Sequence, residues 1–180
     1  PSITERPDLL KYCRIVVVLD HHRQGEEVVE NATLSYVEPY ASSACEMVAE
    51  ILQYVGDGIK VKGVEADCLY AGIVIDTNNF VAKAGVRTFE AAAFLRRSGA
   101  DVTRVRKMFR EDANDYRAKA DAVGQAKIYM DEYAISVCHG EDTSAPTVVC
   151  AQAANELLNI KGIKASFVLT QYNQMIYISA

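Results

Sequence analysis

The sequence predicts an α/β fold, with a parallel-sheet portion followed by a smaller, mixed α/β portion. Three observations carry this expectation. Ile15-Val16-Val17-Val18-Leu19 is an unbroken run rich in β-branched residues, the pattern of a strand buried on both faces of a parallel sheet. Capped, amphipathic helical segments follow it. Near Glu111 the composition turns highly charged, and beyond that point short strands and a helix alternate. The domain boundary is placed there, giving portions 1–110 and 111–180.

Val28 to Val37 contains a second, weaker strand, stopped before Pro39. Ser43 and Glu46 form a capping box, opening a helix whose apolar stripe is Met47, Val48, Ile51, Leu52 and Val55. Val64 to Ile75 reads as a buried helix delivering Asp76, with small Ala71 and Gly72 permitting close packing; a strand through Ile73-Val74-Ile75 is the alternative. Arg87 to Ser98 is amphipathic, with Phe89, Ala92, Ala93 and Leu95 inward, and Gly99 closes it. Asp101 caps a basic helix with Val102, Val105, Met108 and Phe109 on its apolar face. Past the boundary come a helix reaching Ala126, strand 133–138, helix 147–158, strand 165–170 and strand 175–179, the last two joined by the turn Gln171-Tyr172-Asn173-Gln174.

The chain has 180 residues, half of them apolar, and a net charge of −5. That charge argues against a duplex-coating protein but leaves room for a small anion held at a locally positive site. Five cysteines, none in CxxC spacing, read as reduced core residues of a cytosolic protein. No apolar stretch reaches membrane-spanning length. Both ends read as cut from a longer protein: Pro1 stands where an initiator Met would, and the final strand simply stops.

The strongest chemical signal is Asp20-His21-His22-Arg23 at the carboxyl end of the first strand, the edge where open α/β sheets collect ligands. A carboxylate, two imidazoles and a guanidinium are costly at a buried strand end unless a metal organises them, and this donor set suits manganese, iron or zinc. Alternation along the strand points His21 and His22 different ways, so one can meet metal while the other faces substrate. Asp76, in Gly72-Ile73-Val74-Ile75-Asp76-Thr77-Asn78-Asn79-Phe80, reads equally as a cap and as a ligand. At a helix C-terminus its charge opposes the dipole, a cost of about 0.3–1 kcal/mol that a cation would reverse.

These two segments resemble the third and fourth motifs of the DHH phosphoesterases, and the fuller likeness is to the GdpP/YybT type, which hydrolyses cyclic di-AMP to the linear dinucleotide. The resemblance extends over Pro1-Ser2, Pro39-Tyr40-Ala41-Ser42-Ser43, Val86-Arg87-Thr88-Phe89-Glu90 and 157–169, the last similar to the start of a DHHA1 domain. It implies that residues 1–110 are the C-terminal portion of a DHH domain and 111–180 the N-terminal portion of DHHA1.

The resemblance further implies a manganese-dependent, two-metal phosphodiesterase, with other divalent metals admissible. His21 and Asp76 would be metal ligands. Asp20 would orient an imidazole, His22 would act as general acid, and Arg23 would clamp the phosphate, with Arg87 as a further substrate contact. The partner is a cyclic dinucleotide rather than duplex nucleic acid, a homodimer is compatible, and the domain would be cytoplasmic in a membrane-anchored parent. The family's first two motifs would lie ahead of Pro1, and its GGGH segment beyond Ala180. Two expected ligands are therefore present and four missing, so the chain alone is expected to turn over little. The rivals are an oligonucleotide phosphodiesterase of the nanoRNase kind, a pyrophosphatase, and a non-catalytic nucleotide-binding fragment.

Overall fold

The computed structural model describes residues 6–25, 28–56, 58–140 and 142–180. Pro1-Ser2 lies outside these residues. The chain divides into two compact units, Pro1–Phe109 and Arg110–Ala180.

The first unit opens with a short 3₁₀ turn, Pro7–Tyr12, and two strands, β1 (Val17–Asp20) and β2 (Leu34–Val37), paired in parallel from Val17↔Leu34 to Asp20↔Val37. Helices α1 (Ala44–Leu52), α2 (Gly63–Asp76), α3 (Val86–Arg97) and α4 (Val102–Met108) follow. The α/β class holds, but β1 is not buried on both faces. Val17 is 53% exposed and Ile15 lies outside the strand, because among the described residues β1 has one neighbouring strand and its main helix contact is α1. The second strand is only four residues long, the segment ahead of it being turn and coil.

The helices meet through small residues. Ala49, Ala66, Ile73, Ala91, Leu95 and Ala100 form one core. Gly72 lets α1 and α2 approach so closely that a Cβ there would overlap Cys45 Sγ. Ser43 caps α1 by accepting from the Glu46 amide at 3.0 Å. The other half of the expected box is replaced: the buried Glu46 carboxylate takes the Ser42 hydroxyl and amide. On α3 the buried face is Thr88, Ala91, Ala92 and Leu95; Phe89 and Ala93, expected inward, are exposed. On α4 only Val105 is buried. Asp101 caps it as expected, and the buried Asp67 of α2 holds Arg104 through two hydrogen bonds of 2.6 and 3.2 Å.

The second unit contains α5 (Ala113–Gly124), β3 (Lys127–Tyr129), β4 (Tyr133–Val137), α6 (Pro146–Leu158), β5 (Ala165–Tyr172) and β6 (Met175–Ser179). Its sheet runs β3-β4-β5-β6, parallel between β4 and β5 and antiparallel at both outer pairs. The parallel pair is connected through α6, as a parallel crossover requires. Buried residues alternate along β4 and β5, so one sheet face joins α5 and α6 in a core of Ala122, Ala134, Val149, Cys150, Ala153, Leu157 and Val168. All five cysteines are free; Cys138 and Cys150 are buried, whereas Cys13 and Cys68 are exposed and Cys45 is half-buried, which corrects the expectation of five core thiols.

Candidate metal and phosphate site

β1 ends at Asp20, and the chain leaves the sheet there as its last backbone bond is made, the Glu38 amide donating to the Asp20 carbonyl at 2.9 Å. The next residue, His21, turns its ring inward, with 15% of the side chain exposed. α2 runs its full length as a helix, closing the strand alternative, and Asp76 is its last residue. These two chain ends bring His21 Nε2 to 3.7 Å from Asp76 Oδ2. That is too long for a hydrogen bond. It suits two donors on one divalent ion: ligands each about 2.1 Å from a centre lie about 3 Å apart at right angles and about 3.5 Å apart at the tetrahedral angle. Imidazole with carboxylate is a donor set for manganese, iron or zinc, so the pair fits as part of a metal shell. Among the described residues no group of three or more His, Cys, Asp and Glu side chains converges in this way.

The remaining motif residues divide. The Asp20 carboxylate makes its hydrogen bonds to His22 rather than His21, accepting from the backbone amide at 3.0 Å and meeting Nδ1 at 2.7 Å. The amide bond, chiefly, draws the Asp20 carboxyl below its ordinary range. The His22 ring is exposed and tilted at 49° against His21, centroids 4.3 Å apart. Arg23 is exposed and makes no ion pair among the described residues.

Arg87 lies elsewhere in the network. Its Nε and one terminal nitrogen grip the two Glu50 carboxylate oxygens at 2.7 and 2.8 Å, and Glu38 lies 3.9 Å from the guanidinium. The Glu50 bonds raise the Arg87 pKa well above its usual value. Its planar fork is thus occupied by α1, joining the start of α3 to α1 and to the end of β2. Glu50 and Arg87 stand 37 positions apart, with no local pattern to announce the pair. Beside Asp76, burial in the first place, and then the carboxylate's charge, push the Cys45 thiol upward.

Residues 2–73 match the family described as "DHH family, N-terminal domain". The chain is 42% identical over 181 residues to the cyclic-di-AMP phosphodiesterase PdeA of Listeria monocytogenes, covering 100% of this chain and 27% of that protein. It is 42% identical over 172 residues to the cyclic-di-AMP phosphodiesterase GdpP of Geobacillus thermodenitrificans, covering 95% and 26%. It therefore spans about a quarter of the length of these curated relatives. Among solved structures, an exopolyphosphatase-related protein from Bacteroides fragilis superposes with a TM-score of 0.77 at 22% identity, covering 90% of this chain and 49% of that one, a likeness of fold.

Proposed function

We propose that this chain, which belongs to the DHH family, supplies part of the active site of a manganese-dependent phosphodiesterase that opens cyclic di-AMP to the linear dinucleotide. The observation that carries this reading is the convergence of His21 and Asp76 from two separate elements to 3.7 Å. The relatives' activity and their identity along the whole chain support it.

His21 and Asp76 would hold the cation. When bound, it supplies Lewis-acid polarisation of a phosphoryl oxygen and a water of lowered pKa. Hydrolysis joins a water oxygen to phosphorus, breaks one P–O bond and leaves a proton to be placed on the departing ribose oxygen. His22 is built for that last task. With Nδ1 engaged by Asp20, its Nε2 is left to carry a proton outward, and Asp20 fixes the ring's direction. Arg23, exposed on the same loop and without a carboxylate partner among the described residues, would bind the non-bridging phosphate oxygens as a bidentate clamp. Arg87 acts at one remove, keeping the end of β2 and the start of α3 on α1.

The portions 1–110 and 111–180 are read as the end of a DHH domain and the beginning of DHHA1. Among the described residues no helix is long and apolar enough to cross a membrane; a cytoplasmic placement in an anchored parent belongs to the same proposal.

The test is made in the full-length protein. His21→Ala and Asp76→Ala are expected to lose bound manganese, read by elemental mass spectrometry, together with linear dinucleotide release. Arg23→Ala is expected to keep its manganese while turnover falls by ~10²-fold or more, the usual scale for removing one charge-stabilising donor. Equal metal loss in all three variants would sink the division of roles. Full metal occupancy in His21→Ala would sink the site.

A further inference from the structure

We infer that the groove at the carboxyl end of α2, lined by Val74, Ile75, Asn78, Asn79, Arg106 and Phe109, receives a purine base of the dinucleotide together with an adjoining phosphate. This assignment rests on the phosphodiesterase reading above and names the subsite that would give it nucleotide specificity. The groove is open to solvent and offers about 460 Å³, within the range of small-ligand sites. Ile75 and Asn78 lie on either side of Asp76 in the chain, and Asp76 itself is not among the lining residues.

Its lining has the three chemistries a nucleotide needs. Phe109 is 39% exposed and Ile75 64% exposed, giving an aromatic and an aliphatic wall for a flat ring. The side-chain amides of Asn78 and Asn79 make no hydrogen bond among the described residues, which leaves a donor and an acceptor on each for a base edge. Arg106 likewise has no ion-pair partner among the described residues, whereas Arg87 and Arg104 are held by Glu50 and Asp67. A guanidinium left uncommitted beside an aromatic ring is suited to phosphate or to stacking on a base.

The backbone supplies an independent reason. Asn78, Asn79 and Phe80 are consecutive left-handed residues, with φ of 46°, 60° and 65°. Lys83, later in the same connection, shares the conformation at 56°, and so do the hairpin residues Met130, Asp131, Asn173 and Gln174, where two strands must reverse. The next element after Phe80 is helix α3, not a strand. Asparagine tolerates this conformation; phenylalanine does so at a cost. The turn is pinned from several sides. The Asn79 amide donates to Val74 O at 2.9 Å and the Asn78 amide to Ile75 O at 3.1 Å. Thr77 Oγ1 accepts from the Phe80 amide at 3.0 Å. The Phe80 ring stacks on Phe89 at 5.5 Å and meets Tyr70 at 5.8 Å. Such strain persists where surroundings over-determine it, and it concentrates at ligand sites. Here it turns the Phe80 ring into aromatic packing and leaves both asparagines on the groove.

The experiment uses the full-length protein and two probes, 5′-AMP and ribose 5-phosphate, titrated by calorimetry, alongside steady-state kinetics on cyclic di-AMP. Wild type is expected to bind 5′-AMP ~5- to 100-fold more tightly than ribose 5-phosphate, the scale of one base stacked on an aromatic. Phe109→Ala should erase that difference, and Phe109→Tyr should restore it. Arg106→Ala should weaken both probes alike. In kinetics, Phe109→Ala should raise KM for cyclic di-AMP by a similar factor, with kcat and manganese content unchanged. Equal binding of the two probes to wild type, or a preference for 5′-AMP that survives Phe109→Ala, overturns the subsite even if cyclic di-AMP is hydrolysed. Absence of hydrolysis with the 5′-AMP preference intact and dependent on Phe109 overturns the phosphodiesterase reading and leaves the subsite standing.

Discussion

The two units hold themselves together by different means. In the first, helices of small residues approach closely, and long charged side chains fasten them: Arg87 to Glu50 between α3 and α1, Arg104 to Asp67 between α4 and α2. In the second, the buried ties are neutral, hydroxyls and a thiol satisfying backbone carbonyls: Ser166 on Ala154 at 2.8 Å, Thr170 on Cys138 at 2.9 Å, Cys150 on Val168 at 3.0 Å; its ionised groups, Lys119 with Glu111 and Asp115 with Ser144, lie nearer the surface. Ionised ties respond to pH and to charge, whereas neutral ones do not. The candidate chemistry sits on the unit whose ionised ties join helix to helix, where chain ends and helix termini are held by groups that a bound cation or phosphate can influence.

The largest expected effects come from emptying each core. Leu95→Ala and Leu157→Ala, both fully buried, should each cost about 2–5 kcal/mol. If the units are separate cores, hydrogen exchange followed by mass spectrometry will show Leu95→Ala speeding exchange in 44–108, and Leu157→Ala speeding it in 113–179. Uniform acceleration along the chain by either variant would break the comparison. A smaller effect should come from Gly72→Ala, whose new Cβ overlaps Cys45 Sγ; overpacking of this kind costs about 1–3 kcal/mol. Cys45→Ala in the same chain should recover most of that loss, and a double-mutant cycle in urea measures the coupling. Additive losses would mean that the two helices do not meet there.

The ionic ties make a pH prediction of definite sign. The bonds from Arg104 above all, and then from the Asp101 amide, lower the Asp67 carboxyl below its ordinary value. A carboxyl with a depressed folded-state pKa stabilises fully above the unfolded value, and that contribution is lost as pH falls through the folded one. Acid should therefore loosen the first unit, and Asp67→Asn should flatten the acid limb of its stability profile; Asp115, lowered by the Ser144 hydroxyl and then by its amide, gives the second unit an acid limb of its own. The same substitution should leave the exchange of 113–179 untouched at any pH. A wild-type and variant profile that run parallel down to pH 2 would remove Asp67 from the account.

The second unit was the more legible in the sequence. Strand alternation, helix 147–158 and the final hairpin were visible because each of those strands lies in a sheet with a helix-covered face, so side-chain period and burial agree. Lys127–Tyr129 was not, since three exposed residues carry no period. In the first unit the β-branched run announced a strand but not its exposure, because burial depends on neighbours that a local pattern does not contain. The inward face of α3 was misplaced because Phe89 is large and apolar yet packs on Phe80 at the surface, while Thr88 turns inward with its hydroxyl accepting from the Gly85 amide. Asp20-His21-His22-Arg23 stands out by residue type, whereas Asp76 reads equally as a cap until the family resemblance makes it a ligand. That Asp20 serves His22, and that Arg87 is engaged by Glu50, depends on rotamers and on contacts far apart in sequence.

The smallest effects should separate the left-handed residues of the two units. Asn173 and Gln174 form the two-residue loop between β5 and β6, with φ of 50° and 59°, the backbone of a type I′ hairpin that favours Asn-Gly. A left-handed conformation costs a non-glycine residue about 1–2 kcal/mol, offset in part by the freedom that glycine gives up on folding. Gln174→Gly should thus stabilise the second unit by about 0.5–1 kcal/mol in urea unfolding, with the binding of 5′-AMP unaltered. Asn79→Gly relieves the same kind of strain in the first unit but also removes an amide from the proposed subsite. It should gain similar stability and lose affinity for 5′-AMP by ~5-fold, the worth of about one hydrogen bond. If both glycines stabilise and neither changes 5′-AMP binding, the strain at Asn79 is a turn requirement like that at Gln174. The contrast between a turn that only reverses the chain and one that presents groups to a ligand would then be withdrawn.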